Sequence, residues 1–485
     1  MNLEDELGDV VGKARVSFAY DASGRRTAIN NANGSGVQTD LGWSSRGEAR
    51  SVQHWNPAKS TQLYSLAYAR DAGGNPLRIA FSGGQVPSPY ASGSATYTYD
   101  ALSRLTGESY PGASHTWSYD WVGNRLDGGW AYNEVDQLNA GSGYAYDLKG
   151  ALEYDPGAAG DPRLHFQYGS DDLMVRIDRR GSTPLDQSSM IWDADEQRLQ
   201  LTEEVGYDRW QFVYDTAAGI PAVLVQRKAD MDNETLGVTF HVREPGGELL
   251  ASFESGGSPR YYHFDALGST VLLSDGSGNR AGAYAYGAWG DVLASPASWQ
   301  PYQYVGQLGY YTHSAAQGTE LSDWLQLGVR FYQPEIGRFE RRDPVVQPDA
   351  SMYDYCASNP AVQVDPRGTN AIKKGLCAAA CKITYDGAKL ACSQYTSDKV
   401  GCYSLALSAY TSCVAACAKC TEEKSEEWKL VSEGSFFNWE GYGRCKRRTW
   451  TSNKGRTARC VYCYRQSTGS KGSWYHWYTR CEYSE

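Results

Sequence analysis

At 485 residues the chain is too long for one compact core and predicts two or three units. With 36 Tyr and 52 Gly against 11 Phe and 5 Met, it has the balance of a turn-rich β-protein with amphipathic aromatic walls rather than an oily core. The net charge of −10 is split between −18 for residues 1–369 and +8 for residues 370–485, and no stretch approaches the roughly eighteen apolar residues of a membrane span.

The chain opens on the acidic run Met1-Asn2-Leu3-Glu4-Asp5-Glu6-Leu7, without the basic and apolar regions of a signal peptide. It enters repeat material at Phe18, which predicts that it is the C-terminal part of something longer. The repeated phrase is an aromatic, Asp, two variable residues, Gly, then Arg or Leu. Copies occur at Tyr20-Asp21-Ala22-Ser23-Gly24-Arg25, Tyr119-Asp120-Trp121-Val122-Gly123 and Tyr146-Asp147-Leu148-Lys149-Gly150. Tyr99-Asp100-Ala101-Leu102-Ser103 puts Ser at the Gly place, and Phe264-Asp265-Ala266-Leu267-Gly268 is a late relative. Alternate aromatics suit one face of a pleated strand; Asp starts a turn through its side chain, and Gly supplies the positive φ that completes it. Each copy therefore predicts a β-hairpin. The steps between Asp100, Asp120, Asn133 and Asp147 are uneven, which favours a continuous antiparallel ribbon over the regular blades of a propeller. His115 and His263 fall in such strands and read as wall residues rather than ligands.

From Tyr261 an ordered series of motifs follows. It runs from Tyr261 to Asn279, then Tyr284-Ala285-Tyr286-Gly287, Gly328-Val329-Arg330-Phe331-Tyr332, Gly337-Arg338-Phe339 and Arg342-Asp343-Pro344. Tyr353-Asp354-Tyr355-Cys356 and Val364-Asp365-Pro366-Arg367-Gly368 close it. This run resembles the Rhs (YD-repeat) family and its repeat-associated core module, related to the C components of Tc toxins. The resemblance implies a mainly β fold: YD hairpins wound into a curled β-shell over 1–260, and a core and plug over 261–369. A variable C-terminal domain, commonly a toxin, would be held in or released from the shell. The resemblance also implies self-cleavage by two aspartates and a neighbouring arginine, at positions matching Arg342, Asp343 and Asp365. The candidate scissile bond is Thr369-Asn370, with Thr369 standing where the family usually has Leu. Two carboxylates brought close cannot both ionise, so one holds a proton and the pair can act as acid and base. The other reading is that both Asp-Pro elements only seat turns.

Eleven of the twelve cysteines lie from Cys377 onward, and Cys356 stands apart. Cys377, Cys381 and Cys392 mirror Cys402, Cys413 and Cys417 about position 397. With helix formers around them and a turn near Ser397-Asp398, this predicts a small disulfide-rich α-hairpin, helices 371–394 and 401–420, within a domain spanning 370–421. The symmetry selects Cys377–Cys417, Cys381–Cys413 and Cys392–Cys402, and so many disulfides imply an oxidising destination. Residues 422–485 read as a basic β-hairpin tail, with turns at Ser452-Asn453-Lys454-Gly455 and Gly469-Ser470-Lys471-Gly472. Those turns suggest cross-strand pairs Cys445–Cys460 and Cys463–Cys481, leaving Cys356 and Cys420. The alternative is zinc on the two C-x-x-C pairs, 417/420 and 460/463. Arg447, Arg448, Trp450 and His476 mix cations and rings as a nucleic-acid surface does, although a solvated hairpin face reads the same way.

The expectation is a secreted or surface, polymorphic-toxin-like protein whose shell encloses or presents a C-terminal effector, with no cofactor or metal. Its partners would be its own C-terminal domain, an immunity protein, and a glycan or nucleic-acid target. The alternative is an adhesive, carbohydrate-binding structural protein.

Overall fold

The computed structural model describes residues 16–31, 36–138, 143–156, 164–179, 187–203, 208–313, 324–345, 351–369 and 372–373, and the backbone of 428–439, 443–452, 457–466 and 474–484. The chain divides into two units, Met1–Leu376 and Cys377–Glu485. It is mainly β, and among the described residues no helix reaches seven residues. None of these is long and apolar enough to cross a membrane.

In the first unit, nine strands run from Val16–Tyr20 to Ala113–Thr116 and thirteen from Ala145–Tyr146 to Arg280–Ala283. In both sheets each strand pairs with the next along the chain, and neither sheet closes on itself. Purely local pairing of this kind is what a hairpin repeat dictates. The boundary expected at 260 is not a break in the sheet, because Leu249–Glu254 pairs directly with Arg260–Phe264.

The turns have the predicted chemistry. Asp21 Oδ1 accepts the N–H groups of Ser23 and Arg25, both at 2.9 Å, and Gly24 N–H closes the turn on Asp21 O. Asp100, Asp120, Asn133, Asp147, Asp193 and Asp275 repeat the arrangement with residues two and four further on. Gly24, Gly123 and Gly150 take φ of 74°, 95° and 90°, the left-handed region that glycine enters at no steric cost. Ser103 takes that place at φ 62°, and Asp136, Asp172, Glu196 and Asn233 do so in other turns.

The residue before the turn has a second role. Tyr99 OH donates to Pro76 O at 3.0 Å, Tyr168 OH to Leu152 O at 3.0 Å, and the Trp43 and Trp192 indoles to Arg26 O and Met174 O, both at 2.7 Å. Arg70 and Arg243 reach Ala49 O and Val223 O in the same way. Each acceptor opens the returning strand of the preceding hairpin. Successive hairpins are thus stitched by a donor at the tip of a large side chain, a job that Tyr or Trp can do and Phe cannot. At these positions Tyr and Trp therefore have a role that Phe lacks.

The two sheets meet around the 261–369 module. Arg26 pairs with Glu244 at 2.6 Å, Tyr90 OH donates to Tyr286 O at 2.7 Å, and His54 Nε2 bonds Phe264 O at 3.1 Å. His263 is buried and bonds Ser274, a wall residue as expected. Tyr302, Tyr310, Tyr332, Tyr353 and Tyr355 are all fully buried, and the Tyr332 and Tyr355 rings lie 4.2 Å apart.

Ile372–Lys373 is a strand paired with Gln363–Val364, so the helix expected from 371 does not begin there. The pairing carries the first unit past the expected boundary at 369. The remainder of both expected helices lies outside the described residues, with Cys377, Cys381, Cys392, Cys402, Cys413, Cys417 and Cys420. In the second unit, Trp428–Trp439, Gly443–Ser452, Thr457–Gln466 and Trp474–Ser484 form an antiparallel meander. Its register sets Arg447 opposite Val461, Arg448 opposite Cys460, Trp450 opposite Ala458, and His476 opposite Tyr464. Cys445 stands opposite Cys463, and Cys460 opposite Cys481, in place of the 445–460 and 463–481 pairs suggested by the turns.

Candidate self-processing site

Arg330 opens the strand Arg330–Gln333, which follows a two-residue turn from Leu325–Leu327. Gly328 in that turn has φ 54°, and a Cβ there would lie 2.3 Å from Arg367 O. On the facing segment Gly368 has φ 65°, and its Cβ would lie 2.3 Å from Leu327 O. Two glycines therefore let the Asp365-Pro366-Arg367-Gly368 turn dock backbone to backbone on the hairpin tip, where Val329 N–H donates to Arg367 O at 3.2 Å. The docking brings Asp365 beside Arg330.

Arg330 Nη2 donates to Asp343 Oδ2 at 2.8 Å and to Asp365 Oδ2 at 3.3 Å. Its Nε donates to Gly368 O, its Nη1 to Met352 O, and its guanidinium lies over the Phe339 ring at 3.5 Å. One planar cation thereby gathers both carboxylates and the carbonyl just ahead of Thr369. Asp365 Oδ1 accepts the Thr369 N–H at 3.0 Å, and Tyr310 OH accepts the Asp365 N–H at 2.6 Å. Asp343 Oδ1 accepts the Val345 N–H at 2.8 Å. The Asp365 and Asp343 side chains are both largely buried, at 3% and 9% exposure. Burial pushes the Asp343 carboxyl up; Arg330 opposes this, and the neighbouring charge of Asp365 adds to it.

The two expected aspartates are thus brought together. The arginine between them is Arg330, not Arg342. Arg342 Nε would lie 2.6 Å from a Cβ on Gly150, and its side chain sits by Tyr353 against the turn of the 146–152 hairpin. Sequence alone points to Arg342, the arginine adjacent to Asp343, and carries no local signal for Arg330. Asn370, the far side of the expected scissile bond, lies outside the described residues, and the side chains of Arg447, Arg448, Trp450 and His476 are likewise outside them. Among the described residues no group of three His, Cys, Asp or Glu is placed to hold a metal ion.

No protein-family model matches the chain. It is 25% identical over 289 residues to a tRNA3(Ser)-specific nuclease WapA of Bacillus spizizenii, a match covering 56% of this chain and 12% of that protein. It is 23% identical over 316 residues to double-stranded DNA deaminase toxin A of Burkholderia cenocepacia, covering 57% and 21%. With toxin protein Tse5 of Pseudomonas aeruginosa the identity is 24% over 346 residues, covering 57% and 25%. The chain therefore spans a quarter or less of the length of these relatives. Among solved structures it resembles the TcdB2-TccC3-Cdc42 complex, with TM-score 0.59 and 17% identity over 75% of this chain and 20% of that one. The Photorhabdus luminescens Tc holotoxin pore matches with TM-score 0.56 and 16% identity, covering 73% and 19%. In sequence the chain is thus similar to parts of toxin proteins, and in fold it is similar to part of Tc toxin components.

Proposed function

We propose that this is a secreted or surface Rhs-type toxin, in which residues 16–369 form a β-shell and core that carry an effector in residues 370–485, released by cleavage between Thr369 and Asn370. The observation that carries the reading is Arg330 gathering Asp343 and Asp365 beside Gly368 and Thr369, directly ahead of the point where the charge changes sign. Two carboxyls this close share one proton, and in this reading Asp343 delivers it while Asp365 serves as the base. A water gives one proton to Asp365 as its oxygen bonds to the Thr369 carbonyl carbon. Asp343 gives its proton to the Asn370 nitrogen as the carbon–nitrogen bond breaks. The products are a carboxyl terminus at Thr369 and an amino terminus at Asn370.

The positive balance of the tail suits an acidic target, and the nuclease and deaminase names of the relatives favour nucleic acid over a glycan. An immunity protein would protect the producing cell. Induction of the full chain in a bacterium tests the reading. Growth arrest that disappears when the chain is stopped after Thr369 supports it. Equal tolerance of both chains, with binding to cell-surface glycan, supports an adhesive protein instead.

A further inference from the structure

The four cysteines of the tail sheet fall on three of its strands, at positions related by the ladder itself. Cys445 on Gly443–Ser452 is directly opposite Cys463 on Thr457–Gln466, and Cys460 on that middle strand is directly opposite Cys481 on Trp474–Ser484. The ladder is regular from Cys460 to Cys463 on both sides, its irregular step coming after Cys463. A slip of one residue in either pairing would destroy the coincidence.

We infer that the tail sheet carries two cross-strand disulfides, Cys445–Cys463 and Cys460–Cys481, one on each face. Directly opposite residues of an antiparallel pair have Cα atoms about 4.5–5.5 Å apart, inside the span a disulfide bridges. The turn-based pairs fail the same test. Cys460 is opposite Arg448, three residues along the strand from Cys445, and Cys463 is opposite Tyr478, three residues from Cys481. Three residues of strand add about 10 Å, beyond the limit of about 7 Å. The same odd spacing puts positions 460 and 463 on opposite faces, so that C-x-x-C pair cannot close on one zinc ion.

Each bond forms by loss of two protons and two electrons from two thiols. The electrons pass to a disulfide-bonded donor of the thiol–disulfide exchange class, which is reduced to its dithiol. The three cysteine-bearing strands are thereby tied pairwise through Thr457–Gln466 once the chain reaches an oxidising compartment. This inference does not depend on self-cleavage or on the effector's target.

The test is disulfide mapping of the full chain made in an oxidising compartment, alkylated without reduction. Trypsin alone leaves Cys460 and Cys463 on one peptide, so chymotrypsin is added to cut after Tyr462. The expected products join Cys445 to the peptide beginning at Cys463, and the peptide ending at Tyr462 to the one beginning at Cys481. In a Cys445→Ser, Cys463→Ser variant the second link should persist alone. Links from 445 to 460 or from 463 to 481, or four alkylated thiols, overturn the inference.

Discussion

The Arg330 guanidinium meets Asp343 at 2.8 Å, although Arg342 is the arginine adjacent to Asp343 in the chain. Arg330 is almost wholly buried, and it also meets Asp365 at 3.3 Å. A buried cation serving two carboxylates is a point where one substitution leaves uncompensated charge, which makes its role separable from simple packing.

Arg330→Met should destabilise the first unit by about 3–5 kcal/mol, because both carboxylates lose their cation. Adding Asp343→Asn and Asp365→Asn to Arg330→Met should recover much of that loss. Urea unfolding of the three proteins measures it, and a single variant within about 1 kcal/mol of wild type would remove Arg330 from its place in the account.

The stitching of hairpins predicts that Tyr99→Phe and Tyr168→Phe each cost about 1 kcal/mol, since each leaves a carbonyl of the preceding hairpin without its donor. Tyr20 lies in the first described hairpin and is 54% exposed, so Tyr20→Phe serves as the near-neutral comparison. Equal midpoints for all three variants would mean the stitch contributes nothing.

Ser103→Gly and Glu196→Gly should raise stability by about 0.5–1 kcal/mol each, because both residues hold a left-handed backbone at φ 62° and 60°. Gly150→Ala should do the reverse: its φ is 90° and its Cβ would lie 2.6 Å from Arg342 Nε. Thermal midpoints that fall in the first two variants would contradict the reading of these turns.

The hairpins with Asp and Gly were legible in the sequence because their hydrogen bonds stay within five residues. Turns completed by Asp172, Glu196 or Asn233 were hidden, since nothing in those residue types announces a positive φ. Self-cleavage residues were legible only as far as the aspartates. Arg330 reaches Asp365 because Gly328 and Gly368 let two distant backbones touch, a contact that no local pattern encodes. The opposed cysteines of the tail were missed for a related reason: turn positions place a strand approximately, whereas a disulfide depends on register to the single residue.

Buried ionisable groups predict a stability profile with two flanks. Burial pushes His54 down to about 3, and His241, His263 and His313 well below 6.5. Unfolding lets these histidines bind protons, so their stabilising effect is present above about pH 6.5 and is lost as pH falls toward 3. Burial pushes Glu108 up to about 8, and Glu340 and Asp354 up to about 7. These carboxyls are neutral when folded and ionise on unfolding, so stability is lost as pH rises from about 4 toward 8. Among these groups the carboxyls dominate the change between about pH 7 and 8, where the unfolded histidines are mostly neutral, and there the slope is negative. Urea midpoints should therefore fall from about pH 7 to pH 8, and Glu108→Gln should flatten that fall. An unchanged slope in the variant would assign it to other groups.

Intact mass of the freshly made full chain tests the central claim most directly. Wild type should give two products meeting at Thr369 and Asn370, while Asp365→Asn and Asp343→Asn should each give one species of full-length mass. A wild-type chain that stays at full-length mass, under conditions where its first unit is folded, would contradict self-cleavage in this protein.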